Sequence, residues 1–165
     1  MQPEEYKNSI AVIGCNKATN EYIAKAVANK LGLKYMDLDA YLKYCLGGVT
    51  PAQALLKGGP DFLLDSMRRT FADAAEFEGV AMASSALIFC TGADEIIRNC
   101  YTFIPQKDRV DIRRIDVKLR KFMDVEAFST NYAVACEMSV LLSGEVEENI
   151  KAILKFLEET ANGGV

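Results

Sequence analysis

Histidine is absent from all 165 residues. That excludes a Ser-His-Asp triad, a histidine general base and every metal site built on imidazole. Tryptophan is absent as well. The five cysteines, Cys15, Cys45, Cys90, Cys100 and Cys136, are odd in number and contain no C-x-x-C pair. A disulfide framework or a zinc site is therefore not expected, and free thiols in a reducing cytosol are. No stretch approaches the ~18 apolar residues of a membrane span. Met1-Gln2-Pro3-Glu4-Glu5-Tyr6 lacks a basic region followed by an apolar run, so no signal peptide is expected and the expected compartment is the cytoplasm. Nor is there an excess of positive charge. Nineteen Lys and Arg against 23 Asp and Glu give a net charge of -4, a poor balance for general nucleic-acid binding.

What is present is a globular composition, 50% hydrophobic and 25% charged, expected to form a single domain over residues 1–165. Short apolar runs alternate with helical patterns. Ser9 to Gly14 reads as a buried strand, and Glu21 to Leu31, with Ile23, Val27 and Leu31 four residues apart, as a helix ended by Gly32. Tyr35 to Asp39 reads as a second strand. Residues 40 to 78 read as broken helix: Ala40 to Leu46, then Ala52 to Lys57 starting at Pro51, then Asp61 to Phe77 after Gly58-Gly59-Pro60. Strands follow at 79–83, at Tyr101 to Ile104 and at Met138 to Leu142, with helices at Ala93 to Asn99 and Glu145 to Glu159. Residues 106 to 124 are charge-rich but space Ile112, Ile115, Leu119 and Phe122 as a helix does. Five such strands with helices between them predict a parallel sheet covered on both faces, with ligands beyond the carboxyl ends of the strands.

The first of those ends has the layout of a phosphate-binding loop: strand, glycine, helix. The pattern for such a loop is G-x-x-x-x-G-K-[ST]. The chain has Gly14-Cys15-Asn16-Lys17-Ala18-Thr19-Asn20-Glu21. Thr19 stands at the second glycine, Asn20 at the lysine and Glu21 at the hydroxyl residue. With this loop, Leu31-Gly32-Leu33-Lys34-Tyr35-Met36-Asp37-Leu38-Asp39, and the closing Tyr132 and Ala135 before the last strand and helix, the chain resembles the shikimate kinase family over residues 9 to 160.

The resemblance implies a three-layer αβα P-loop kinase fold, with a helical substrate-binding insertion at about 40–66 and a lid-like segment at about 106–124. It implies ATP and magnesium as cofactors at Gly14 to Glu21. The residues themselves suit those cofactors poorly. Asn20 carries no charge for the β- and γ-phosphates, and Glu21 adds a carboxylate to the expected first helical turn. Two unit charges ~5 Å apart at an effective dielectric of ~20 repel by roughly 3 kcal/mol. Thr19, β-branched, resists the backbone angles a glycine gives the loop. Lys17 is the one cation in the loop; it either reaches an anion from another direction or is a solvated loop lysine. Cys15 lies near a helix N-terminus, but no histidine exists to activate it.

On the substrate side the resemblance gives Asp37 a part in holding magnesium and Asp39 a substrate hydroxyl. The plainer reading has Asp39 capping the helix from Ala40 and Asp37 ending a strand. The family's carboxylate-binding arginine in G-E-x-x-F-R-x-x-E falls on Leu63, within Gly58-Gly59-Pro60-Asp61-Phe62-Leu63-Leu64-Asp65-Ser66, and a second falls on Phe128, before Tyr132. Neither replacement can form a bidentate ion pair. The family's triple glycine aligns with Ala83-Ser84-Ser85, whose hydroxyls are candidates for a polar ligand. In the lid-like segment Arg109, Arg113 and Arg114 are candidates to stabilise a phosphoryl group, against an ordinary solvated helix face. Together these residues predict a shikimate kinase-like protein that has lost typical ATP-dependent phosphorylation and binds a small molecule or a protein partner. The alternative is an active small-molecule kinase with a rearranged loop, in which Lys17 replaces the missing lysine and Glu21 holds magnesium.

Overall fold

The computed structural model describes residues 9–14, 16–106, 119 and 124–161. The elements run β1 (Ile10–Ile13), α1 (Lys17–Leu31), β2 (Lys34–Asp37), α2 (Leu38–Cys45), α3 (Pro51–Ala75), β3 (Val80–Ser84), a 3-10 turn (Ala86–Cys90), α4 (Ala93–Asn99), β4 (Tyr101–Pro105), α5 (Val125–Met138), β5 (Val140–Leu142) and α6 (Val146–Ala161). The strands pair in parallel in the order β2-β3-β1-β4-β5. Every residue of β1 and β3 is buried, because helices cover both sides of the sheet. Alternate strand residues serve the two sides. Ala11, Ile13, Val80 and Met82 join a cluster with Leu42, Leu63, Met67 and Phe71. Ile10, Val12, Ala81 and Ala83 join one with Ile23, Val27 and Ile153. The architecture is a three-layer α/β sandwich with α1 and α6 on one face and α2 to α5 on the other.

Several boundaries differ from the sequence expectation for local reasons. Helix α1 starts at Lys17, four residues early, because Asn16 caps it: the Asn16 side-chain oxygen accepts from the Thr19 amide at 3.1 Å. Glu21 is therefore in the second turn, and no acidic residue lies in the first. Gly32 ends α1 in the left-handed region at φ 69°, with the Leu33 amide returning to the Ala28 carbonyl at 2.9 Å. The second strand stops at Asp37, which caps α2 by accepting from the amides of Asp39 and Ala40 at 2.9 and 3.2 Å. The capping role expected of Asp39 thus belongs to Asp37.

The helices expected at 52–57 and 61–77 form one element, α3, broken at Gly59, where φ is 84° and ψ is 173°. Thr50 opens it with a capping box: the Gln53 amide donates to Thr50 Oγ1 at 3.2 Å and the Thr50 amide donates to Gln53 Oε1 at 2.8 Å. Helix α5 was not expected from its pattern; Asp124 caps it through the Ala127 amide at 3.0 Å. The last strand is shorter than expected, beginning at Val140. The expected lid segment lies outside the described residues, apart from Gln106, Leu119 and Asp124. Among the described residues no helix is long and apolar enough to cross a membrane.

Candidate functional site

The register of the sheet brings the site together. Ile13 pairs with Ser84 and Asp37 with Ala83, so the turns after β1, β2 and β3 emerge side by side at the carboxyl edge. Lys17, the first residue of α1, extends across this edge. Its ammonium lies 3.4 Å from Asp39 Oδ2, 3.5 Å from Asp37 Oδ2 and 3.6 Å from Glu21 Oε1. Lys17 is not a loop lysine facing water alone: it ties the start of α1 to the end of β2 and the start of α2.

Asp39 is held from the other side. Its carboxylate accepts from Ser84 Oγ at 3.1 Å and from the Ser85 amide at 3.2 Å. Burial pushes its carboxyl above the usual range, against the pull of Lys17 and the two serine hydrogen bonds. For Lys17 burial acts downward, but Asp39, Asp37 and Glu21 together outweigh it and raise the ammonium's pKa. Burial, then the charges of Asp37, Glu21 and Asp39, also raises the Tyr35 phenol.

Asn20 has a different part. It is 1% exposed, and its side-chain amide donates to the Gly14 carbonyl at 3.1 Å and the Ser84 carbonyl at 2.8 Å. It stitches the turn after β1 to the end of β3 from inside the fold. A Cβ on Gly14 would lie 3.7 Å from the Asn20 amide, so this side chain fills the inner side of the turn. Residues 17 to 20 are helical, and the Asn20 amide bonds to the Asn16 carbonyl at 3.0 Å.

Of the residues singled out in the sequence, Lys17, Glu21, Asp37, Asp39, Ser84 and Ser85 come together. Ser84 is buried beneath Asp39, while Ser85 caps the 3-10 turn by accepting from the Leu87 amide at 3.3 Å. Ala18 is exposed on α1, and Thr19 is spent on the cap. Cys15, Arg109, Arg113 and Arg114 lie outside the described residues. Sequence reasoning missed the Asn20 bridge and the convergence on Lys17. The Asn16 cap signal, and the i,i+4 spacing of Lys17 and Glu21 that follows from it, were the available clues.

Beside this cluster opens a cleft of about 660 Å³, walled by Lys17, Asp37, Asp39 and Ser85, by Leu42 and Lys43 of α2, by Thr50 to Ala52, and by Leu87 and Leu119. Leu87 and Leu119 also border a second cavity of about 290 Å³, whose lining is mostly apolar but includes Asp124. Leu63 lines it at 5% exposure. Phe128, 2% exposed, packs edge-on against Phe89 at 6.0 Å. Both positions where the resemblance implies arginines are thus part of the apolar core. Among the described residues no group of three or more carboxylate or thiol side chains is placed to hold a metal ion.

No protein-family model matches the chain, and no curated protein is significantly similar to it. Solved structures are similar. The shikimate kinase of Aquifex aeolicus is 16% identical with a TM-score of 0.69, covering 93% of this chain and 98% of its own. That of Acinetobacter baumannii, solved in complex with shikimate, is 14% identical with a TM-score of 0.68, covering 94% and 96%. A gluconokinase from Sinorhizobium meliloti is 16% identical with a TM-score of 0.54, covering 96% and 95%. At such identities the likeness is one of architecture, and that architecture is the P-loop kinase fold of the shikimate and sugar kinases.

Proposed function

We propose that this protein is a ligand-binding or regulatory member of the P-loop kinase fold that does not carry out typical ATP-dependent phosphoryl transfer. One observation carries the reading: the ammonium of Lys17 is already surrounded by Asp37, Asp39 and Glu21. The four side chains together carry a net negative charge at the position where a nucleotide's phosphates would need a positive one. Each carboxylate ~5 Å from a phosphate charge at an effective dielectric of ~20 repels by roughly 3 kcal/mol. The turn geometry supports the same reading. Residues 17 to 20 are wound into helix, the Thr19 amide is taken by Asn16, and Asn20 fills the inside of the turn. These residues suit a triphosphate with magnesium poorly.

The cleft itself remains suited to a small molecule, with donors and acceptors at Lys17, Asp39 and Ser85 and an apolar wall opposite. The test is ADP release with magnesium-ATP and shikimate or gluconate, the acids on which kinases of this architecture act by name. No saturable turnover is expected. Turnover that saturates in the acid and is lost in Asp39→Ala would overturn the proposal. A melting-temperature rise with magnesium-ATP that Lys17→Ala removes would instead establish the active kinase with a rearranged loop.

A further inference from the structure

We propose that the ammonium of Lys17 is a tethered cation standing in the place of a divalent metal ion, so that the chain itself holds the carboxylates at the edge of the sheet and the site takes no metal. This deepens the reading of the same cluster given above and adds what regulates its charge. Lys17 Nζ lies nearly equidistant from carboxylate oxygens on three elements: Asp39 Oδ2 of α2 at 3.4 Å, Asp37 Oδ2 at the end of β2 at 3.5 Å, and Glu21 Oε1 of α1 at 3.6 Å.

Two of these carboxylates are positioned by groups other than the lysine. Asp37 Oδ1 accepts from the amides of Asp39 and Ala40 at 2.9 and 3.2 Å, which leaves Oδ2 toward Lys17. Asp39 is fixed by the Ser84 hydroxyl at 3.1 Å and the Ser85 amide at 3.2 Å, and its side chain is 17% exposed. Without the ammonium, the two carboxylates would still converge on one spot, partly buried and repelling each other. A pair so held suits a hard cation. With the lysine present that spot is filled. The oxygens stand 3.4 to 3.6 Å from it, wider than the ~2.0–2.6 Å of magnesium or calcium ligation. As they stand, they make no metal-holding group among the described residues. Occupancy matters here rather than net charge: Lys43 lines the same cleft and alters its overall charge, but it does not vacate the place that Lys17 fills.

The experiment titrates the full chain with manganese, which broadens nearby amide resonances, at fixed ionic strength and without nucleotide. In the wild type the amides of Asp37, Asp39 and Ser85 are expected to stay sharp. In Lys17→Met they are expected to broaden saturably, with manganese bound at least about tenfold more tightly than by the wild type and displaced by magnesium. Lys17→Arg keeps a cation at this place and should behave as the wild type does. A lysine that only fastened α1 to α2 would leave metal binding unmoved in every variant. Lys17→Gln serves where Lys17→Met fails to fold. Broadening at these amides in the wild type, or a charge-neutral variant that binds manganese no better than the wild type, would overturn the inference. Turnover with magnesium-ATP by a wild type that stays sharp in manganese alone would overturn only the proposed loss of phosphoryl transfer. Broadening in a wild type without turnover would overturn only the tethered cation.

Discussion

Asn20 shows how one buried side chain can tie two turns of a fold together. A lysine at its place in the P-loop pattern carries charge outward to phosphates. Asn20 instead turns inward and satisfies two buried carbonyls, those of Gly14 and Ser84. Removing it leaves both acceptors desolvated and unpaired, each costing about 1–3 kcal/mol. Asn20→Ala is therefore expected to lower unfolding stability by about 2–4 kcal/mol in a urea titration. A loss below about 0.5 kcal/mol would show that the bridge is incidental.

At the scale of elements, the break in α3 shapes the cleft and the cavity. Thr50 to Ala52, before the break, wall the cleft, and Leu63, Leu64 and Met67, after it, wall the cavity. The backbone of Gly59, at φ 84° and ψ 173°, lies in a region that side-chain-bearing residues essentially do not adopt. Pro60 follows, without an amide to continue the helical hydrogen bonds. Gly59→Ala is expected to cost about 1–3 kcal/mol in the same titration, although open space surrounds the added Cβ. The penalty is one of backbone conformation, and a neutral result would show that the turn can relax.

For the whole molecule, Lys17 and Asp39 link α1, the β2–α2 junction and the end of β3, so their titration reports on global stability. Folding raises the proton affinity of both. The contribution of Lys17 is fully present below its unfolded pKa of about 10.4 and is lost as pH climbs through the higher folded value. Asp39 favours folding in its protonated form, so stability falls as pH rises from its unfolded pKa of about 3.9 through the raised folded one. Urea midpoints across pH test both signs. Lys17→Met is expected to lose about 1 kcal/mol or less at pH 7, because the lysine is half-exposed, with the gap closing at alkaline pH. Asp39→Asn is expected to gain on the wild type as pH rises through the acid window. A pH-independent difference for either variant would contradict the assignment.

The order of strands and helices was legible because burial on both sheet faces writes itself locally, as the continuous apolar runs of β1 and β3 and the four-residue spacing of Ile23 and Val27. That Asn20, Leu63 and Phe128 carry no charge was equally plain, since the charge of a side chain is visible without coordinates. Helix α5 was not legible: its mean apolar character is spread round the helix rather than gathered on one face. The meeting of Lys17 with Asp37 and Asp39, the reach of Asn20 to Ser84, and the apolar cavity between α3 and α5 depended on tertiary structure. Each joins residues brought together by the β2-β3-β1-β4-β5 order, and that order follows from packing between distant segments, which no local periodicity records.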